Sequence, residues 1–175
     1  HLGLAASVSV NGAFTQPEID EATFVAKELT YAAENFGYDQ IMVIATEAFR
    51  LASNGEKVAE HISLAISHEV RILSEAEETS LAWEAVSSEF PVHSKIAMAD
   101  LGGGSLGLAF GPTNLNRPQQ HSSHRLGVSL LSPRTLKHGI LSSDTRIRLE
   151  HHIASELRPA IQKSKSLLPL PTVLV

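Results

Sequence analysis

An apolar segment at residues 96–99 runs directly into Asp100-Leu101-Gly102-Gly103-Gly104-Ser105, and a second apolar segment at residues 106–110 runs out of it. Both read as strands, so the glycines between them lie at a strand-to-strand connection. Consecutive glycines have no Cβ to keep a ligand away, and their N–H groups can turn toward one anion as a nest. Asp100, at the end of the incoming strand, can hold a hydrated Mg²⁺ beside that anion, and Ser105 can add a hydroxyl donor. A plain glycine-rich hairpin accounts for the same residues on the local pattern alone. A Walker-type loop does not, because no Lys follows the glycines.

Around this connection, strand and helix patterns alternate. Residues 4–10 alternate in polarity and end in Asn11-Gly12, which predicts a short strand closed by a turn. Thr15 and Pro17 open a helix predicted to end near Phe36, with Ile19, Ala22, Phe24, Ala26, Leu29, Ala32 and Ala33 on its apolar side and Gly37 as its stop. The apolar run 41–45 predicts a covered parallel strand. Ser53 or Asn54 caps a helix carrying Val58, Ile62, Ala65 and Ile66. Residues 70–73 read as a strand, and Ser74-Glu75-Ala76-Glu77 is a capping box opening a helix to about Ser88. Residues 111–122 read as loop. A short helix at 133–138, a longer one at 144–165 and a strand at 172–175 complete the pattern, which predicts an α/β sheet.

The chain has 175 residues, 43% of them apolar, enough for one ordinary domain or two small lobes with a sizeable core. No apolar run approaches the roughly 20 residues of a membrane-spanning helix. With no cysteine, a disulfide framework, Cys-ligated zinc and a thiol nucleophile are excluded. A soluble, cytoplasmic protein is the expectation. The net charge of -5 is unevenly distributed: residues 1–100 carry 16 acidic and 5 basic side chains, residues 101–175 carry 3 acidic and 9 basic. Such a division suits two lobes of opposite field, the second attractive to a polyanion, and equally suits a first half rich in solvated helix faces. There is no strong basic stripe or reading module for duplex nucleic acid.

Two further side chains are candidates for chemistry. At 100° per residue, Glu78 lines up with Leu81, Ala82 and Ala85 on the helix opened by Ser74, whereas Glu77 and Glu84 fall on the opposite side. A carboxylate on the buried side suits a general base that activates water; an ordinary core-edge glutamate fits the position as well. Arg50 lies just past the carboxyl end of the 41–45 strand, the edge at which ligands gather in open α/β sheets, and a guanidinium there can clamp phosphate or simply pair with Glu47. The nine histidines lack metal-ligand spacing. His121 and His124 point to opposite faces of a strand, and His151 and His152 diverge on a helix. No Gly-x-Ser-x-Gly elbow is present.

Taken in order, these residues resemble the exopolyphosphatase and guanosine pentaphosphate phosphatase family, Ppx/GppA. His1-Leu2-Gly3 is similar to its Arg-Leu-Gly entry, and Ile44-Ala45-Thr46-Glu47-Ala48-Phe49-Arg50, followed by Asn54, to its Val-Ala-Thr-x-Ala-Leu-Arg. Ser74-Glu75-Ala76-Glu77-Glu78-Thr79-Ser80-Leu81 is similar to Ser-Gly-x-Glu-Glu-Ala-x-Leu, residues 100–105 to Asp-Ile-Gly-Gly-Gly-Ser, and Leu126-Gly127-Val128-Ser129 to Leu-Gly-x-Val.

The resemblance implies an actin-like, ribonuclease-H-like pair of lobes, here residues 1–94 and 95–175, truncated at both ends. It implies hydrolysis of terminal phosphoanhydride bonds in inorganic polyphosphate or pppGpp with Mg²⁺. Glu78 would be the water-activating base and Asp100 the metal-side carboxylate. Gly102, Gly103, Gly104 and Ser105 would form the phosphate loop, and Arg50 would contact phosphate. The expected partners are the anionic substrate and, in a homodimer, a second copy; this stretch alone is expected to turn over little substrate. Where the family has Ser-Thr-Glu, this chain has Ser105-Leu106-Gly107, losing a hydroxyl and a carboxylate. That departure favours the alternative, a non-catalytic member that binds polyphosphate or nucleotide as a sensor.

Overall fold

The alternation of strand and helix signals resolves into an α/β architecture whose buried apolar side chains, among the described residues, gather in three clusters. The structure is a computed structural model and describes residues 3–135, 141–164 and 173–174. The chain forms two compact units, His1–Ser74 and Glu75–Val175. Among the described residues no helix is long and apolar enough to cross a membrane.

In the first unit, α1 (Leu4–Asn11) replaces the strand expected from the alternation. Val8 is buried and Leu4, four residues earlier, packs on the same core, while Val10 is 84% exposed. Helical spacing, not a period of two, therefore decides which side chain goes inside. Gly12 is the C-cap, at φ 72°, and its N–H donates to the Val8 carbonyl at 2.8 Å. The Asn11-Gly12 signal is thus a helix stop.

Helix α2 (Gln16–Asn35) begins where Thr15 and Pro17 indicated. The Thr15 amide and hydroxyl both donate to the Glu18 carboxylate, at 2.8 and 2.7 Å. Its buried stripe is not the expected one. Phe24 and Leu29 are largely exposed, and Thr23 and Thr30 are buried, their hydroxyls donating to the Ile19 and Ala26 carbonyls. A threonine satisfied by its own helix can enter a core that apolar periodicity alone assigns to larger residues.

Strand β1 (Val43–Ala45) and β2 (Val70–Ile72) pair in parallel, with Val43 opposite Val70 and Ala45 opposite Ile72. Met42 and Ile44 are exposed, so the run is not covered on both faces as expected. A parallel pair requires a crossover, supplied by α3 (Glu47–Leu51) and α4 (Gly55–Ile66). Val58, Ile62 and Ile66 of α4 share one core with Ala22, Ala45 and Val70. Asn54 fixes the entry to α4 by clasping one residue on both sides of its backbone. Its Oδ1 accepts from the Phe14 amide at 2.9 Å and its Nδ2 donates to the Phe14 carbonyl at 3.0 Å.

The second unit is a three-layer arrangement. Helix α5 (Glu75–Ser87) covers one face of a sheet of β3 (Lys95–Leu101), β4 (Leu106–Pro112), β5 (Gln120–His124) and β6 (Val173–Leu174). The spatial order is β5-β4-β3-β6, with β3, β4 and β5 antiparallel in sequence and β6 parallel to β3. Trp83 of α5 is fully buried with Ile96, Met98 and Ala109. After α6 (Val128–Thr135), α7 (Ser143–Ser164) covers the other face, packing Leu157 and Ala160 against Ala97, Leu108 and Phe110.

Strand β5 lies partly in the stretch read as loop; its side chains are polar, as those of an edge strand can be. Helix α6 starts at Val128, ahead of the expected residue 133; residues 136–138, together with 165, 172 and 175 of the last two expected elements, lie outside the described residues.

Candidate functional site

The glycine segment is the turn between β3 and β4. Leu101 pairs with Leu106, and the Gly102 amide donates to the Ser105 carbonyl at 2.9 Å. The next three bonds come from the start of α6. The carbonyls of Gly102, Gly103 and Gly104 accept from the amides of Val128, Ser129 and Gly127, at 3.0, 2.8 and 3.0 Å. In a trans peptide the N–H points opposite to the C=O of the same unit, and no peptide bond described here is cis. The amides of Gly103, Gly104 and Ser105 therefore point away from α6. Among the described residues none of these three amides has a hydrogen-bond partner. The outcome is a row of adjacent donors without intervening side chains, the arrangement expected of an anion nest.

Asp100 is exposed, in phase with Ile96 and Met98 on the α5 side of the sheet and directly opposite Gly107 in the ladder. Helix α5 runs back along the same face. Phe90, just past its end, packs with Trp83, Ile96 and Met98, and the chain turns through residues 88–94 into β3. The first turn of α5, with Glu78, lies in the same unit as Asp100 and the glycine turn.

The projection that separated Glu78 from Glu77 does not hold. Leu81 and Ala85 are exposed, Trp83 and Ser87 form the buried stripe, and Glu77 and Glu78 are both half-buried. Of the expected stripe Leu81, Ala82 and Ala85, Ala82 packs on the core, and the largest apolar side chain, Trp83, determines which face is buried.

Arg50 belongs to the first unit, in the last turn of α3. Its Nη1 donates to the main-chain carbonyl of Leu73 at 2.6 Å. Leu73 directly follows β2, and its amide donates to the Ala45 carbonyl at the end of β1. Arg50 is thus held at the carboxyl edge of the parallel pair. His121 and His124 do fall on opposite faces of β5, and His124 Nε2 lies 3.0 Å from the Ser122 hydroxyl.

The sequence reading assigned no role to the α6 amides, although Gly127 immediately before a helix was their signal. Nor did it find Trp83, whose indole N–H donates to the Leu115 carbonyl at 2.9 Å and pins the β4–β5 connection.

The Ppx/GppA phosphatase family model matches residues 1–175. Among solved structures, an exopolyphosphatase from Cytophaga hutchinsonii superposes with a TM-score of 0.83 at 22% identity, over 94% of this chain and 52% of that one. An Aquifex aeolicus member of the Ppx/GppA family gives 0.70 at 23% identity, over 91% and 51%. The chain spans about half the length of these proteins, and the likeness establishes their α/β fold. No curated protein is similar enough to count as a relative. With its full length matched by the family model, the chain belongs to the Ppx/GppA phosphatase family.

Proposed function

We propose that this protein hydrolyses the terminal phosphoanhydride bond of inorganic polyphosphate or pppGpp. The observation that carries this reading is the row of outward amides at Gly103, Gly104 and Ser105. Such donors suit the non-bridging oxygens of a phosphate chain, and fixed donors aimed at developing charge are commonly the largest contribution to catalysis. Family membership and the Cytophaga hutchinsonii exopolyphosphatase likeness support the same reading.

In this mechanism the loop amides and the Ser105 hydroxyl hold the terminal phosphoryl group. Glu78 accepts a proton from water as its oxygen bonds to the terminal phosphorus, while the bond from that phosphorus to the bridging oxygen breaks. The shortened chain leaves with the bridging oxygen, and orthophosphate is released.

Mg²⁺ is usually held by one or two carboxylates together with substrate phosphates and water. Asp100, exposed beside the amide row, fits that minimal mode. Bound there, the ion would neutralise charge on the phosphoryl oxygens.

The second reading, a non-catalytic polyphosphate or nucleotide sensor, is favoured by Gly107, which places no carboxylate opposite Asp100. Phosphate release from polyphosphate and from pppGpp by the intact protein, with binding of each measured in parallel, separates the two. Release abolished by chelation of Mg²⁺ supports the hydrolase; tight binding without release supports the sensor.

A further inference from the structure

The geometry points to Gly127 as the positioning residue of the phosphate loop: the start of α6 grips the loop from behind and turns its amides outward. This inference rests on the phosphate-binding reading of residues 102–105 and assigns the cause of their orientation. Gly127 is buried, and a Cβ built on it would overlap the Gly103 carbonyl and the Gly104 carbonyl carbon. Even a methyl group would have to push the turn away. Leu126 and Leu130, on either side of the grip, are both buried, so α6 cannot easily retreat.

Three adjacent peptide units are engaged in the same sense. Each offers its carbonyl to α6 and its amide to the far side. The α6 amides, which at a helix start have no partner within the helix, are satisfied by these carbonyls. The helix start is therefore not itself the anion site. It acts through the loop, because a peptide whose carbonyl accepts a hydrogen bond becomes a better donor at its N–H. Ser129 adds to the restraint, since its Oγ lies 3.2 Å from where a Cβ on Gly103 would be. A plain hairpin turn has no need of such a grip.

The test uses the intact protein, with orthophosphate as probe. In the wild type, orthophosphate should move the amide resonances of Gly103, Gly104 and Ser105 downfield. Gly127→Ala should lose that response and raise the phosphate dissociation constant by roughly tenfold to a hundredfold, as expected for weakened charge-assisted hydrogen bonds. The circular dichroism and the fluorescence of Trp83, the one tryptophan, should stay unchanged.

Val128→Pro is the second variant. It deletes the amide that serves the Gly102 carbonyl at the first helical position, where proline is tolerated, so it carries the test if Gly127→Ala does not fold. It should lose about threefold to tenfold in phosphate binding. Folded variants that bind orthophosphate with wild-type affinity and wild-type amide shifts overturn the positioning role alone. A wild type whose loop amides ignore both orthophosphate and polyphosphate overturns the phosphate-binding reading and this inference with it.

Discussion

Asp100 and Gly107 face each other across the β3–β4 ladder, and a Cβ built on Gly107 would lie 3.8 Å from the Asp100 Cβ. That separation is ordinary van der Waals contact, and Gly107 does not occupy the left-handed region. The backbone thus accepts a side chain at the position where the family pattern has glutamate.

Gly107→Glu should place a second carboxylate beside Asp100. Mg²⁺ affinity rises with the number of carboxylates offered, so the Mg²⁺ concentration that half-saturates phosphate release by the intact protein should fall by about tenfold. Titration with Mg²⁺ at fixed polyphosphate checks this. An unchanged or weakened Mg²⁺ dependence would place the metal away from Asp100.

Glu78→Gln retains size and hydrogen-bonding reach but cannot take a proton from water. In the intact protein kcat should fall by about 10²–10⁴ with KM nearly unchanged. Glu84→Gln, at an exposed position on the same helix, is the control and should leave both constants alone. Full activity in both variants would assign the base elsewhere.

The elements carried by long periodic segments or sharp local chemistry were legible in the sequence. Helix α2, helix α4 and the β3–β4 turn lie where Thr15, Asn54 and the glycines put them. The errors share a cause, which is that a short pattern does not reveal what packs on it. Residues 4–10 alternate, but the position of Val8 is set by the core of the first unit. Glu78 was placed on a buried stripe with Leu81, Ala82 and Ala85, but Ala82 packs on the core beside Trp83 while Leu81 and Ala85 are exposed. Of the candidate site, Asp100 and the turn were readable because glycine and a strand end leave few options. The grip of Gly127 was not, since it joins residues far apart in the chain and involves backbone atoms only.

Glu18 links pH to stability in the first unit. The Ser7 hydroxyl, the Thr15 amide and the Thr15 hydroxyl all favour its ionised form, holding its pKa below the ordinary 4.5. Because the folded value lies below the unfolded one, this contribution is present in full above the ordinary value and is lost as pH falls through the lowered one. Glu18→Gln should therefore have a lower Tm than the wild type near neutrality, with the gap closing below pH 4.5. Thermal unfolding across that range measures it, and a gap independent of pH would mean the carboxylate charge does not contribute.

Trp83 gives the most direct stability test of the second unit. It is fully buried, and its indole N–H supplies the hydrogen bond to the Leu115 carbonyl that fastens the β4–β5 connection. Trp83→Phe keeps an aromatic ring but removes the donor and part of the volume. The carbonyl left without its partner should cost about 1–3 kcal/mol, and the lost volume adds to that. Trp83→Ala should cost about 3–5 kcal/mol. Leu115→Ala is the discriminating comparison, because it leaves the accepting carbonyl in place and trims a side chain that is 41% exposed. Its loss should stay near 0.5 kcal/mol, in the range of surface substitutions. Urea unfolding followed by circular dichroism gives all three values. If Leu115→Ala costs as much as Trp83→Phe, side-chain packing rather than the indole hydrogen bond holds the connection.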